Sequence, residues 1–207
     1  MHIIAKNPQR SNIVFVFPQE AAAQLDAQQV YAAFSGDATR GSNFVDDPAM
    51  GLKVFSFPAL QLKVVLEQNR FRVEDISGKP PEETKCALEA HRLVKSLFPQ
   101  ITPESYGFNY DLYFRFDNVI PQREILKSFL SEKTLETVKD FGWQFTLAKD
   151  NGRRQATYFF KVVAPIEMAV HVNFHYNERI LPTAEQLQGE YQKNYEQADK
   201  VLADLAF

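Results

Sequence analysis

Polar and apolar residues alternate most cleanly in two long stretches of the chain. Along 107–117, Phe108, Tyr110, Leu112, Phe114 and Phe116 interleave with Asn109, Asp111, Tyr113, Arg115 and Asp117. Along 166–177, Met168, Val170, Val172, Phe174 and Tyr176 interleave with Ala169, His171, Asn173 and His175. A period of two is the signature of a strand with one buried face. Further strands are predicted at 11–17, 52–57, 60–67, 70–76, 141–149 and 153–163. Asp150-Asn151-Gly152 joins the last two as a hairpin.

Helical spacing appears in four places. Pro18 opens a helix over 19–34 with Ala23, Ala27, Val30 and Phe34 on one face, and 35–51 follows as loop. A second helix runs from the Pro80-Pro81 break to Leu97, burying Cys86, Ala90, Leu93, Val94 and Leu97, and Pro99 stops it. A third spans 121–139 with a break near Ser131. Thr183 and Gln186 form a capping box for the last, whose apolar stripe is Ala184, Leu187, Tyr191, Tyr195, Ala198, Leu202 and Leu205.

These elements predict an α+β fold: a mainly antiparallel sheet of about eight strands with helices packed on one face. The order strand, helix, three strands, helix occurs twice, and fragments of sequence recur with it. Phe17-Pro18-Gln19-Glu20 matches Ile120-Pro121-Gln122, and Pro58 to Asn69-Arg70 matches Pro165 to Asn177 and Arg179. The expectation is an internal duplication, with residues 1–100 and 101–207 as structural repeats sharing one sheet in one compact domain. In topology alone this order resembles duplicated saddle folds such as the TATA-binding protein. No sequence motif of that family accompanies it, and likeness of fold carries no function.

Composition narrows the classes. At 207 residues the chain can build a sizeable core, and its 18 Phe favour a large sheet. A net charge of -3 makes nucleic acid an unlikely partner. A lone cysteine, Cys86, excludes an intrachain disulfide and reads as a small buried apolar residue. No apolar run approaches the ~20 residues of a membrane span, and the short apolar start is no signal peptide, so a cytoplasmic protein with no membrane partner is expected.

Candidate chemistry is sparse. His171, Asn173 and His175 form a row on one strand face, about 6.6 Å apart. Two histidines at that spacing can chelate zinc if further ligands join them, and Asp111 could be one. With no third strong ligand fixed by spacing, no metal and no cofactor is expected. Arg70 and Arg72 could hold phosphates, but Glu67, Glu74 and Asp111 share their faces, so cross-strand charge pairs are expected to absorb them. The glycines of Gly36-Asp37-Ala38-Thr39-Arg40-Gly41-Ser42 are spaced like a phosphate loop, but the lysine is missing. No catalytic residue can be named.

The face away from the helices carries Val14, Val16, Lys63, Val65, Glu67, Tyr113, Arg115, Thr157, Phe159, Lys161 and Val163 beside the histidine row. Its apolar content predicts a cover. The leading expectation is a non-enzymatic interaction protein that uses this face as a homodimer or with a protein partner. The alternatives are a small-ligand or enzymatic site around His171, Asn173 and His175, a nucleic-acid-binding saddle, or cover by the N-terminal segment or the 35–51 loop. The ligand or interface candidates are His171, Asn173, His175, Asp111, Tyr113, Arg115, Phe159 and Lys161.

Overall fold

Alternation becomes a continuous sheet. The computed structural model describes residues 2–18, 21–34, 36–138 and 141–204. Among them, β1 (Ile3–Val16), β2 (Asn43–Asp47), β3 (Leu52–Phe57), β4 (Leu62–Glu67), β5 (Arg70–Asp75), β6 (Ser105–Phe116), β7 (Gly142–Lys149), β8 (Arg154–Ala164) and β9 (Glu167–Tyr176) form one antiparallel sheet. Its order is β2-β3-β4-β5-β1-β6-β9-β8-β7. The helices are α1 (Ala27–Ala32), α2 (Cys86–Leu97), α3 (Gln122–Lys127), α4 (Glu132–Leu135) and α5 (Ala184–Asp204). The fold is α+β, as the patterning predicts.

One parity of the central strands β5, β1 and β6 faces α2 and α5, and the same face of β8 and β9 is buried with it. Ile13, Phe15, Phe71, Val73, Phe108, Tyr110, Tyr158, Phe160 and Val172 are wholly buried there, and burying a side chain of this size stabilises by roughly 1.5–3 kcal/mol. α2 packs on α5, β5 and β1, and α5 packs also on β6. The inner stripe of α5 is the expected one: Leu187, Tyr191, Tyr195, Ala198 and Leu202 are buried, while Leu205 lies outside the described residues. The Thr183–Gln186 capping box forms, each backbone N–H donating to the other's side chain at 2.9 and 3.2 Å.

Four elements differ from expectation. The first helix begins at Ala27, not at 19, because Asp26 caps it and Gln29 completes a capping box; residues 19 and 20 lie outside the described set. The 35–51 segment is not all loop: a short 3-10 turn leads to β2, an edge strand that is nearly all exposed. β1 starts near residue 3, with register shifts at Ile3/Ala5 and Pro8/Arg10 absorbing its irregularities. Consequently neither the N-terminal segment nor residues 43–47 covers the open face, since both are strands of the sheet itself. The third helix breaks near Ser131 as expected, into α3 and α4 with Ser131 capping α4, whereas α2 begins only at Cys86, after a 3-10 turn over Pro81–Glu83, and not at the Pro80-Pro81 break.

The two halves place their strands in the same order outward from the β1–β6 pair, β1-β5-β4-β3 and β6-β9-β8-β7. The matched sequence fragments do not follow that equivalence. Pro18 leads into a turn, whereas Pro121 precedes α3. Pro58 lies between β3 and β4, whereas Pro165 lies between β8 and β9, one connection out of step. A duplication is therefore not shown by these fragments.

Candidate functional site

Strand register decides which polar residues meet on the open face. Asn12 pairs with Asn109, Asn109 with Asn173, and Asn173 with Thr157 across β1, β6, β9 and β8. The amides form a ladder: Asn173 Nδ2 donates to Asn109 Oδ1 at 2.6 Å, and Asn109 Nδ2 donates to Asn12 Oδ1 at 2.8 Å. Two residues along, Asp111 sits beside Arg10 and His171. His171 Nδ1 lies 2.6 Å from Asp111 Oδ1, and the Arg10 guanidinium donates to the other carboxylate oxygen. On the ladder's other side runs the row Arg72, Val14, Gly107, His175 and Gln155.

Together these rows floor a hollow of about 440 Å³, open to solvent and bounded by Val14, Val16 and Val65 at the β4–β1 side. That volume falls within the range of roughly 300–1,000 Å³ usual for small-molecule sites. His171, Asn173, His175 and Asp111 are all in its lining. Tyr113, Phe159 and Lys161 line a second, more open hollow of about 340 Å³ that shares Arg10, Asp111 and His171 with the first. Arg115 belongs to neither; it lies toward the end of β6, paired in register with Glu167.

The charges are distributed unevenly. Arg10, Arg70 and Arg72 line the hollow with Glu67, Glu74 and Asp111. Arg10 takes two of the three carboxylates, bonding Asp111 and reaching Glu74 at 3.6 Å. This corrects the expectation that cross-strand pairs absorb Arg70 and Arg72. Among the described residues neither has an ion pair, and the Arg72 Nε–H is buried without a hydrogen-bond partner. Glu67 is opposite Arg70 in the β4–β5 register yet beyond ion-pair distance. Arg154, by contrast, is paired, with Asp150 at 3.4 Å and Glu178 at 3.3 Å.

Titration follows these surroundings. Burial would raise the Asp111 carboxyl, but the hydrogen bonds from His171 and Arg10 outweigh it and hold it below the usual aspartate value. Burial, helped by the positive charge of Arg70, pushes His175 down, favouring a neutral imidazole at pH 7. Because the folded Asp111 pKa is depressed, its contribution to stability is complete above the unfolded value of about 3.9 and is lost as pH falls through the folded value. Asp111→Asn should thus cost about 1–2 kcal/mol at neutral pH, a charge-assisted pair discounted for partial exposure. The gap to wild type should narrow below about pH 4. Urea unfolding at pH 7 and pH 3 reads both; an equal gap at the two values would remove the carboxylate from the account.

Other candidates recede. Cys86 is fully buried, its thiol facing the Val73 carbonyl at 3.6 Å, and burial pushes its pKa far up, so no thiolate is on hand. Among the described residues no group of three or more His, Cys, Asp or Glu is arranged to hold a metal ion. No described helix is long and apolar enough to cross a membrane.

Sequence reasoning missed Arg10 because the predicted strand starts at residue 11, after Asn7-Pro8-Gln9-Arg10, and it passed over Asn12, although that residue shares the parity of Val14 and Val16. It saw Arg70, Arg72 and Asn109 but could not assign their partners without register. The open face is correspondingly more polar at its centre than the count of its valines and aromatics suggested. No protein-family model matches the chain, and no characterised protein is detectably similar to it.

Proposed function

We propose that this is a binding protein whose recognition surface is the centre of the open sheet face, and that its ligand is a small polar molecule. The observation that carries the reading is the hollow itself. Within it one side of the sheet keeps its polar groups satisfied, through the asparagine ladder and the Arg10–Asp111–His171 cluster, while among the described residues Arg70 and Arg72 have no ionic partner. The Arg72 Nε–H is buried, and a buried, unpaired donor costs stability unless something outside the chain engages it. A neutral charge balance, three arginines against three carboxylates, argues against a nucleic-acid backbone, which needs a surplus of positive charge.

The test is a thermal-shift screen of polar metabolites against the wild type and Asn173→Trp, whose indole would fill the hollow. Compounds that raise the wild-type unfolding midpoint and leave the variant unmoved are expected. A screen in which every hit shifts both proteins equally would sink the reading.

A second reading, a homodimer or protein partner on the same face, has a specific observation in its favour. Phe159 and Tyr113 lie beside the hollow at 41 % and 37 % exposure, an apolar shoulder that a protein surface could cover. Burying the whole face would also bury Arg70 and Arg72, which favours the small ligand. Sedimentation over rising concentration separates the two, because a chain that stays monomeric has no self-association to explain.

A further inference from the structure

We infer that Arg70, Arg72 and the bare backbone at Gly107 form an oxyanion subsite, so that the ligand of the open face is a small molecule carrying a carboxylate or phosphate group. The inference rests on the binding reading above and names the chemistry of its ligand. Arg70 and Arg72 are successive residues of one parity on β5, so both guanidinium stems rise from the same face, about 6.6 Å apart along the strand. Of the hollow's three acids, Asp111 and Glu74 are engaged by Arg10, which stands two rows away, and Glu67, opposite Arg70 in register, stands beyond ion-pair distance of it. The Arg72 Nε–H is buried with no partner among the described residues. A guanidinium presents its donors as a planar fork that matches the oxygens of a carboxylate or phosphate.

The floor beside them is open for a reason. Gly107 stands between Val14 and His175 in the row that begins at Arg72. A Cβ built there would lie 2.6 Å from the carbonyl oxygen of Phe174, so this position admits no side chain while β6 and β9 keep their spacing. A glycine inside a central strand weakens it and marks a place where another group approaches the backbone closely. The next row is the asparagine ladder, about 6.6 Å further along the strands. An oxyanion at the arginines therefore places the rest of the molecule over amides able both to donate and to accept.

The decisive measurement is the side-chain Nε–H resonance of Arg72, followed by nuclear magnetic resonance at fixed ionic strength while inorganic phosphate or acetate is added. The expected result is a saturable shift of that resonance with one of the two anions; which one binds tighter identifies the group. Arg70→Gln, read on the Arg72 resonance, and Arg72→Gln, read on the side-chain amide of Asn173 in the same hollow, should each weaken that anion about tenfold, the loss of one charge-assisted hydrogen bond. Arg72→Lys keeps a charge on the same strand and should retain weaker binding. An Arg72 resonance unmoved by both anions overturns the subsite, as does a shift that persists unchanged in Arg70→Gln. The two proposals fail separately: a neutral compound that stabilises the wild type and not Asn173→Trp, with an affinity indifferent to Arg72→Gln, keeps the binding face and removes the oxyanion.

Discussion

Tyr191→Ala should lower the free energy of unfolding by about 3–5 kcal/mol, the range for deleting a large buried ring. Tyr191 is wholly buried on α5 and is the side chain by which that helix grips the centre of the sheet. Its ring lies 5.5 Å from that of Tyr110 and 5.9 Å from that of Phe108, both in stacked orientation. Its hydroxyl shares a hydrogen bond with Ser11 on β1, and its backbone carbonyl accepts from the Tyr110 hydroxyl at 2.6 Å. Truncation removes the ring contacts and strands Ser11, which is only 3 % exposed.

Tyr191→Phe isolates the polar part: it keeps the ring and should cost about 1–2 kcal/mol for the hydroxyl pair. Against a total stability of about 5–15 kcal/mol, the alanine variant sits near the edge of folding at physiological temperature. Urea denaturation with an unchanged slope is the measurement. A loss below about 1 kcal/mol for Tyr191→Ala would mean that α5 is not docked as described. Ser11 and Asn12 are neighbours on opposite faces of β1, so the ring is separated from the hollow by the sheet, and Tyr191→Phe should leave ligand binding unchanged.

The strands were legible wherever one face is buried. In β6, β8 and β9 the parity of apolar residues named the helix face correctly, and with it the row His171, Asn173, His175 on the other side. β2 was illegible for the complementary reason. Its five residues are nearly all exposed, so no alternation is imposed on them and only pairing with β3 makes them a strand. The first helix was misplaced because Pro18 and Asp26 both offer plausible starts, and the reciprocal Asp26–Gln29 hydrogen bonds favour the later one.

For the site, the residue types were visible and their pairing was not. Strand parity puts Arg70 and Arg72 on one face with Glu67, Glu74 and Asp111. Arg10 meets Asp111 in the same β1–β6 register that pairs Asn12 with Asn109, which ends at the irregularity next to Pro8, and it also reaches Glu74, while among the described residues Arg70 and Arg72 have no ionic partner. A one-residue slip of β1 would have turned Arg10 and Asn12 to the helix face.

Gly107→Ala should be the most damaging single-methyl change in the chain, costing about 2–3 kcal/mol and weakening ligand binding at the same time. The backbone at Gly107 is not in the left-handed region, so the penalty is steric. The new Cβ would meet Phe174 O at 2.6 Å, Phe174 C at 3.6 Å and His175 Cα at 3.7 Å, all backbone atoms that no rotamer change can move. β6 is held on both sides, by β1 and by β9, so relief requires spreading the centre of the sheet. Gly142 is the internal control. Its added Cβ would lie 2.7 Å from Phe160 O, almost the same clash, but β7 is an edge strand with β8 as its one partner. An edge strand can shift outward without breaking a second ladder, so Gly142→Ala should cost about 1 kcal/mol or less. The two variants also part in function. Spreading β6 from β9 displaces His175 and Asn173 relative to Arg72 and Val14, whereas a shift of β7 leaves those rows in place. Denaturant unfolding of both variants, followed by the Arg72 resonance titration on whichever remain folded, gives the comparison. Equal losses at the two glycines would show that the centre of the sheet yields as easily as its edge, and that Gly107 is not what keeps the hollow's floor open.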